Sequence, residues 1–389
     1  MITLWTWRGR SREWPRIFRR ISAQKASTGC IGPSFRPARN PSSARSVRPD
    51  AMPDRRWGVV ATVREPIDLV LAFACHHLDM GAEVTLFFDD PDDPAAAVLD
   101  GLDGVRVIRC DAAHWAALGW DRQPDIQTPR QNTNFRWAVA QGLADWLIHL
   151  DADEFLWAPE GVWHDVDAVG DADWLAVPPW ERVLALGDTG LFAGAFRSTV
   201  EGGLADVYGD DARFLEPKGM AGYASAKPMV PAYMPHHVVT HRVMGPDGPR
   251  PRRRAEKMRI LHFEGLTPTH WAVKQLRYAV QSERRILMRP ARYAALREII
   301  AAQDVRAAAL ERFDRTYRLS ADTLATLSAR GALHSVPFDI EGTVARHAPQ
   351  VEFDATGARL DHALAPHLDE LAAEVAARRG ALLAVPAPG

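Results

Sequence analysis

No stretch of the 389-residue chain approaches the roughly 18 uninterrupted apolar residues that a membrane helix requires. A membrane partner would therefore be met only peripherally, at the surface. Cysteine is scarce as well. Cys30, Cys75 and Cys110 are odd in number and far apart, which argues against a disulfide framework or a CxxC metal site and is consistent with a reducing, cytoplasmic setting. An excess of basic charge is also missing from most of the chain. Residues 1–56 hold 13 of the 47 Lys and Arg and 3 of the 49 Asp and Glu, which leaves 34 against 46 in the remainder, a net of −12. An acidic body behind a basic leader does not have the charge of a nucleic-acid binder.

The leader, residues 1–56, is rich in Arg, Ser and Pro and has no sustained period of 2 or 3.6. It never develops the apolar run of a secretory signal. Met52 stands just before the first strand-like segment at Trp57. Two readings compete: a genuine basic, disordered tail, or a gene-model extension with the true start near Met52.

From Trp57 the pattern becomes regular. Trp57–Val63 is a short apolar run with β-branched residues, hence a buried strand. Ile67, Val70, Leu71, Ala74, Cys75 and Leu78 form one stripe of an amphipathic helix after Pro66. Glu83–Phe88 and Val105–Cys110 read as strands, Gln131–Leu143 as a helix and Asp145–Leu150 as a fourth strand. Near-continuous apolar strands alternating with helices predict an open, mainly parallel α/β sheet covered on both faces. Trp174–Val177 and Ile260–Phe263 read as further short strands, residues 245–254 as a loop by composition, and the chain from about His270 as helical. The expected organisation is a leader (1–56), an α/β domain (57–265) and a helical C-terminal region (266–389).

The most informative segment is WLIHLDADEFLW, residues 146–157. An apolar strand ends in Asp151, Asp153 and Glu154 and is followed at once by apolar residues that must return to the core. Ligands of open α/β sheets bind beyond the carboxyl ends of the strands, so Asp151 emerges where a ligand would sit. Asp151 and Asp153 are two apart and can point the same way in extended backbone. Ionised together they repel, and they call for a cation. An oxygen-loving Mg²⁺ or Mn²⁺ answers that need. A polar turn or a helix-capping role is the structural alternative.

The segment ADWLIHLDADEFL resembles the D-x-D region of family 2-like glycosyltransferases with the GT-A fold. The stretch VVATVREPIDLVLAFACHHLDMGAEVTLFFDD is similar to the first β-α-β unit of that family, and ILHF at 260–263 to a late His-aromatic element. The resemblance covers residues 57–157 best. It implies a GT-A-like, nucleotide-diphospho-sugar transferase type of sheet and an enzyme moving a sugar from a UDP- or GDP-sugar donor to a hydroxyl of a glycan or other acceptor, mostly with inversion. It implies a divalent metal on Asp151, Asp153 and His262, with Asp151 also near the donor and Glu154 either at the site or structural. Arg64 and Glu65 would face the nucleotide, and Asp89 and Asp90 would hold the nucleoside. Arg130 and Lys227 are candidates for phosphate contact, and Glu181 and Asp188 are candidates for the base that deprotonates the acceptor. Trp157, Trp163, Trp174 and Trp180 offer either sugar-stacking faces or core packing. The pattern of His236, His237 and His241 suggests zinc only in isolation, since no helical stripe supports it. Two other functions compete. A nucleotidyltransferase would use the same acids but needs a Gly-rich phosphate loop, which TVREP is not. A degenerate GT-A domain would bind glycan without turnover.

Overall fold

The computed structural model describes residues 55–281 and 288–385. Most of the leader, with Cys30 and Met52, lies outside the described residues.

In chain order the first half runs β1 (Trp57–Val63), α1 (Ile67–Asp79), β2 (Glu83–Phe88), α2 (Ala95–Asp100), β3 (Val105–Arg109), α3 (Ala112–Ala117), α4 (Gln127–Gln141), β4 (Trp146–His149), β5 (Glu154–Trp157), α5 (Val162–Asp167), β6 (Trp174–Val177), β7 (Pro179–Ala185), β8 (Ala195–Arg197) and α6 (Leu204–Tyr208). There follow β9 (Lys227–Pro231), β10 (His237–Val239), β11 (Arg242–Gly245), β12 (Gly248–Pro249), β13 (Arg252–Arg254), β14 (Arg259–His262) and α7 (Pro268–Val280). The C-terminal part adds α8 (Pro290–Ala301), α9 (Val305–Tyr317), β15 (Arg318–Leu319), α10 (Ala321–Ala329), β16 (Leu333–His334), α11 (Ile340–His347) and α12 (Ala358–Ala384).

The main sheet has the order β13-β6-β9-β4-β1-β2-β3. β1 is buried throughout and pairs in parallel with β2 and β4, while β3 pairs in parallel with β2. This is the open α/β sheet that the apolar strand runs imply. β9 enters antiparallel between β4 and β6. A second sheet, ordered β16-β8-β7-β14-β5, adjoins it. Phe155 of β5 and Leu261 and Phe263 around β14 lie in the same apolar cluster as Val59, Ala61, Leu71 and Phe73 of the first β-α unit.

Three local expectations change. α4 starts four residues earlier than the apolar stripe suggests, because Gln127–Arg130 carry no stripe, while Pro129 is tolerated in a first turn, whose N–H groups have no helical partner. It ends at Gly142, whose φ of 62° is the left-handed conformation that a helix C-cap favours in glycine. Residues 245–254 are not all loop: Arg252–Arg254 add a parallel edge strand to β6. Main-chain pairing at an edge places no demand on side chains, so composition hid it. The C-terminal part is mainly helical, yet β15 pairs with β7 and β16 with β8. Val336, Ile340, Val344 and Leu360 share the apolar cluster of β1 and α1, whereas Leu276, Leu296, Phe313, Leu371 and Val375 build a separate core among the helices. Among the described residues no helix is long and apolar enough to cross a membrane.

Candidate functional site

Strand direction assembles the site. β1, β2, β3 and β4 are mutually parallel, so Glu65, Asp89, Asp111 and Asp151 all follow the same edge of the sheet. β9 runs against β4, with Ile148 opposite Met229. Its first residue, Lys227, is therefore delivered to that edge beside Asp151. β14 runs against β5, and its last residue, His262, lies opposite Glu154. Segments 76 residues (Lys227) and more than a hundred residues (His262) further along the chain thus converge on the D-A-D-E turn.

Each acid of that turn meets a cation. Lys227 Nζ lies 2.8 Å from Asp151 Oδ2 and also donates to Glu154 Oε2. The Lys227 side chain is 1% exposed and Glu154 is fully buried, so neither can be stripped of its partner without leaving a buried charge. Burial opposes ionisation of Asp151, but Lys227 holds its carboxyl well below the usual range. Burial pushes the Glu154 carboxyl up, against the pull of Lys227. Glu154 also accepts from the Tyr223 hydroxyl and from the Asp151 backbone N–H (2.8 Å), and Gln131 donates to Asp151 Oδ1. Asp153 meets a second lysine, with Lys274 Nζ of α7 3.0 Å from its Oδ2.

Behind these acids lies a cationic layer of which the sequence revealed only His262. Glu264 is buried with Arg292 Nη2 at 2.6 Å, His262 Nε2 at 3.2 Å and Lys274 Nζ at 3.6 Å. Burial works against charge on His262, yet the bond to Glu264, with Asp153 and Glu154 nearby, outweighs it and pushes the imidazole up to about 9. His262 is thus a cation facing the acids. Its Nδ1 is buried without a hydrogen-bond partner among the described residues. The spacing His262-Phe-Glu264 was the available signal for Glu264, since two polar residues two apart on a short apolar strand share one face. Lys274, Arg292 and Tyr223 come from helices and a loop whose register no local pattern reveals.

The segment 219–226 covers this layer. The backbone N–H groups of Ala221 and Gly222 donate to Glu181, at 2.9 and 2.5 Å. A Cβ on Gly222 would stand 2.9 Å from Glu181 Oε1, 3.0 Å from Glu264 Oε2 and 3.0 Å from His262 Cε1. Only glycine lets the backbone approach so closely.

The other expected site residues divide. Glu65 joins the cluster: burial, opposed by the Arg64 N–H at 2.7 Å and reinforced by Asp153 and Asp151, pushes its carboxyl up to about 7. Asp89 is buried at the same edge and takes Gln123 Nε2 at 2.9 Å. Arg130 Nε is 2.7 Å from Asp89 Oδ1, an ion pair whose N–H is not aimed along the contact, while Arg130 Nη1 donates to the carbonyls of Pro124 and Asp125. Arg130 therefore braces the 123–125 loop. Arg64 and Asp90 are exposed at the rim.

The two candidate bases do not join. Glu181 is 0% exposed and its carboxylate accepts from Arg197 Nε (2.8 Å) and Nη2 (2.5 Å) as well as from Ala221 and Gly222. Four donors fill it, leaving no face for an acceptor hydroxyl. Asp188 closes the turn after β7 by accepting from the Ala185 N–H at 2.8 Å. Of the tryptophans, Trp174 is core and donates to the Arg250 carbonyl, Trp163 lies under Arg55, and Trp157 leans on Trp180. His237 lies against Arg136, and His241 against the Ala226 carbonyl.

The implied metal can be tested against this donor set. Among the described residues no group of three His, Cys, Asp or Glu is arranged to hold an ion, and His262, being charged, is not a neutral ligand as arranged. Asp151 and Asp153 are the hard oxygen donors that Mg²⁺ or Mn²⁺ prefers, and such ions use one or two carboxylates when substrate phosphates complete the shell. Asp151 and Asp153 are the two carboxylates of that kind at the turn, each engaged here by a lysine, Lys227 at 2.8 Å and Lys274 at 3.0 Å.

No protein-family model matches the chain, and no curated protein matches it. Among solved structures, HddC from Yersinia pseudotuberculosis is similar at 9% identity and a TM-score of 0.24, over 54% of this chain and 76% of that one. A mannose-1-phosphate geranyltransferase from Thermus thermophilus is similar at 11% identity and a TM-score of 0.24, over 69% of this chain and 70% of that one. Likeness at this level carries no functional argument.

Proposed function

We propose that the chain is a glycosyltransferase that takes a nucleotide-diphosphate sugar at the carboxyl edge of its parallel sheet and passes the sugar to a hydroxyl acceptor. The observation that carries this reading is the pairing of Asp151 and Glu154 with Lys227 and of Asp153 with Lys274 at that edge. Three acids at a strand end call for cations, and the two lysines that answer them are also the groups a diphosphate would seek.

The two lysines have different freedom. Lys227 is fixed between two carboxylates, whereas the Lys274 side chain is 28% exposed. Lys274 is the cation able to turn from Asp153 to a phosphate oxygen as the donor enters. Asp151 and Asp153 would hold a divalent ion, which when bound would neutralise the leaving diphosphate. Glu65 and Asp89 border the nucleoside end, and Gln131 and Tyr223 keep Asp151 and Glu154 in orientation. Glu181 is assigned to holding the 219–226 segment rather than to proton transfer.

The test is product analysis. Purified protein is incubated with UDP- and GDP-sugars in the presence and absence of Mn²⁺, and the released phosphate species are identified. Release of nucleoside diphosphate supports glycosyl transfer. Inertness towards these donors, with pyrophosphate formed from a nucleoside triphosphate and a sugar phosphate, would replace the reading with nucleotidyl transfer.

A further inference from the structure

We infer that the cavity lined by Trp180, His334, Arg254 and Arg259 binds the anionic group of a carboxylate- or phosphate-bearing sugar, and that this sugar is the acceptor. The second half rests on the transferase reading above, whereas the anion site does not.

The cavity measures about 190 Å³ and is walled by Pro178, Pro179, Ser198, Thr199 and Ala224 in addition to those four side chains. Pockets for drug-sized ligands span roughly 300–1,000 Å³, so this one suits a group the size of a monosaccharide rather than a whole nucleotide sugar. Chain continuity ties its wall to the acid–lysine cluster at two points. Ala224 follows Tyr223, whose hydroxyl bonds Glu154. Pro178 follows Val177, which is paired with Lys227.

Its charge is only partly compensated among the described residues. Among the described residues neither Arg254 nor Arg259 has a carboxylate within ion-pair distance, whereas the neighbouring Arg253 is paired with Glu256 at 2.7 Å. Arg259 is anchored by Nη1 to the Met258 carbonyl at 2.7 Å. Asp165, whose charge favours the Arg259 cation, is already committed to the backbone N–H groups of Glu256, Lys257 and Met258. Burial, and then the nearby Arg254, lower the Arg259 guanidinium. Burial, and then Arg259, lower the His334 imidazole. Mutually repelling cations held at one cavity, in a body whose net charge is negative, are relieved by an anion. Guanidinium groups are matched in geometry to carboxylate and phosphate oxygens.

The walls are also ordered. The His334 ring is stacked on Trp180 at 3.7 Å with a 2° tilt, and its Nε2 lies 3.0 Å from Ser198 Oγ. Arg259 lies over the Trp180 ring, 5.3 Å from its centroid. A guanidinium braced in this way loses little freedom when it binds.

The experiment titrates the full chain with glucuronate, glucose 6-phosphate and glucose by ligand-observed NMR, and with UDP by calorimetry. The inference predicts that at least one charged sugar binds at least tenfold more tightly than glucose. Arg254→Gln and Arg259→Gln should each weaken it at least fivefold, with Arg259→Lys intermediate and UDP affinity unchanged. Preference for glucuronate assigns a carboxylate and preference for glucose 6-phosphate a phosphate; either supports the site. Equal binding of glucose, or charged-sugar binding indifferent to both arginines in variants with wild-type melting, overturns it. If the charged sugar responds to the arginines while UDP does not bind, the anion site stands and the transferase reading fails.

Discussion

Glu181→Gln separates a structural carboxylate from a catalytic one. The residue forms a fully buried pair with Arg197 and accepts two backbone N–H groups from the segment that covers His262 and Glu264. Glutamine keeps the shape and one oxygen but removes the charge, and it turns an amide N–H₂ towards donors that need an acceptor. The Arg197 guanidinium, whose own charge is favoured by Glu181 against the effect of burial, would be left without its carboxylate. Breaking a buried pair from one side costs about 3–5 kcal/mol. Urea denaturation followed by tryptophan fluorescence should show a loss of that size. Replacing both partners with methionine should recover only part of it: the stranded charge is gone, but the Ala221 and Gly222 N–H groups lose their acceptor. A loss below about 1 kcal/mol, accompanied by a fall in transfer of a hundredfold or more, would refute the structural role and restore Glu181 as the general base.

Two further outcomes follow from the same geometry. Gly222→Ala should destabilise the protein by about 1–3 kcal/mol, the usual range for overpacking, because its Cβ meets Glu181, Glu264 and His262 at 2.9–3.0 Å; wild-type stability would show that the cover segment is not so tightly seated. Stability should also fall in mild acid. Burial lowers His76 to about 4 and His77 well below its usual value, and the contacts of His77 with the Phe73 carbonyl and the Leu156 N–H require one ring nitrogen to stay unprotonated. With folded values below the unfolded one near 6.5, the contribution is full above that pH and drains away as pH falls towards 4. At about 1.36 kcal/mol per pH unit, His76 alone removes up to about 2 kcal/mol by pH 5. Glu65 and His262, raised to about 7 and about 9, act in the opposite sense over this range. Burial also lowers His237, His241 and His270 to about 4 and His149 to about 3, which adds to the loss. Denaturation curves that coincide at pH 7.5 and 5 would contradict this.

What could be read from the sequence follows physical lines. β1 and β2 announce themselves because strands covered on both faces are nearly continuously apolar, and α1 because its apolar residues recur at helical spacing. The acids of the D-A-D-E turn stand out against such a background. The cations answering them do not. Lys274 and Arg292 lie on helices, Tyr223 lies in a loop, and each arrives through tertiary packing from segments distant in the chain. Lys227 was legible as a candidate but not as the first residue of a strand, since Pro228 and Pro231 obscure the pattern there. Glu181 looked available for catalysis because nothing local signals Arg197, which meets it only when β7 and β8 pair.

The acid–lysine cluster at residues 151–154 is proposed to receive a nucleoside diphosphate. Calorimetric titration of UDP and GDP, with and without Mn²⁺, into the wild type, Asp153→Ala and Lys274→Met tests it most directly. The account predicts saturable binding of at least one nucleotide by the wild type, strengthened by Mn²⁺. It predicts at least tenfold weaker binding by each variant, with the Mn²⁺ effect abolished in Asp153→Ala. Wild-type affinity and Mn²⁺ response in Asp153→Ala, or no binding of either nucleotide by the wild type, would contradict it.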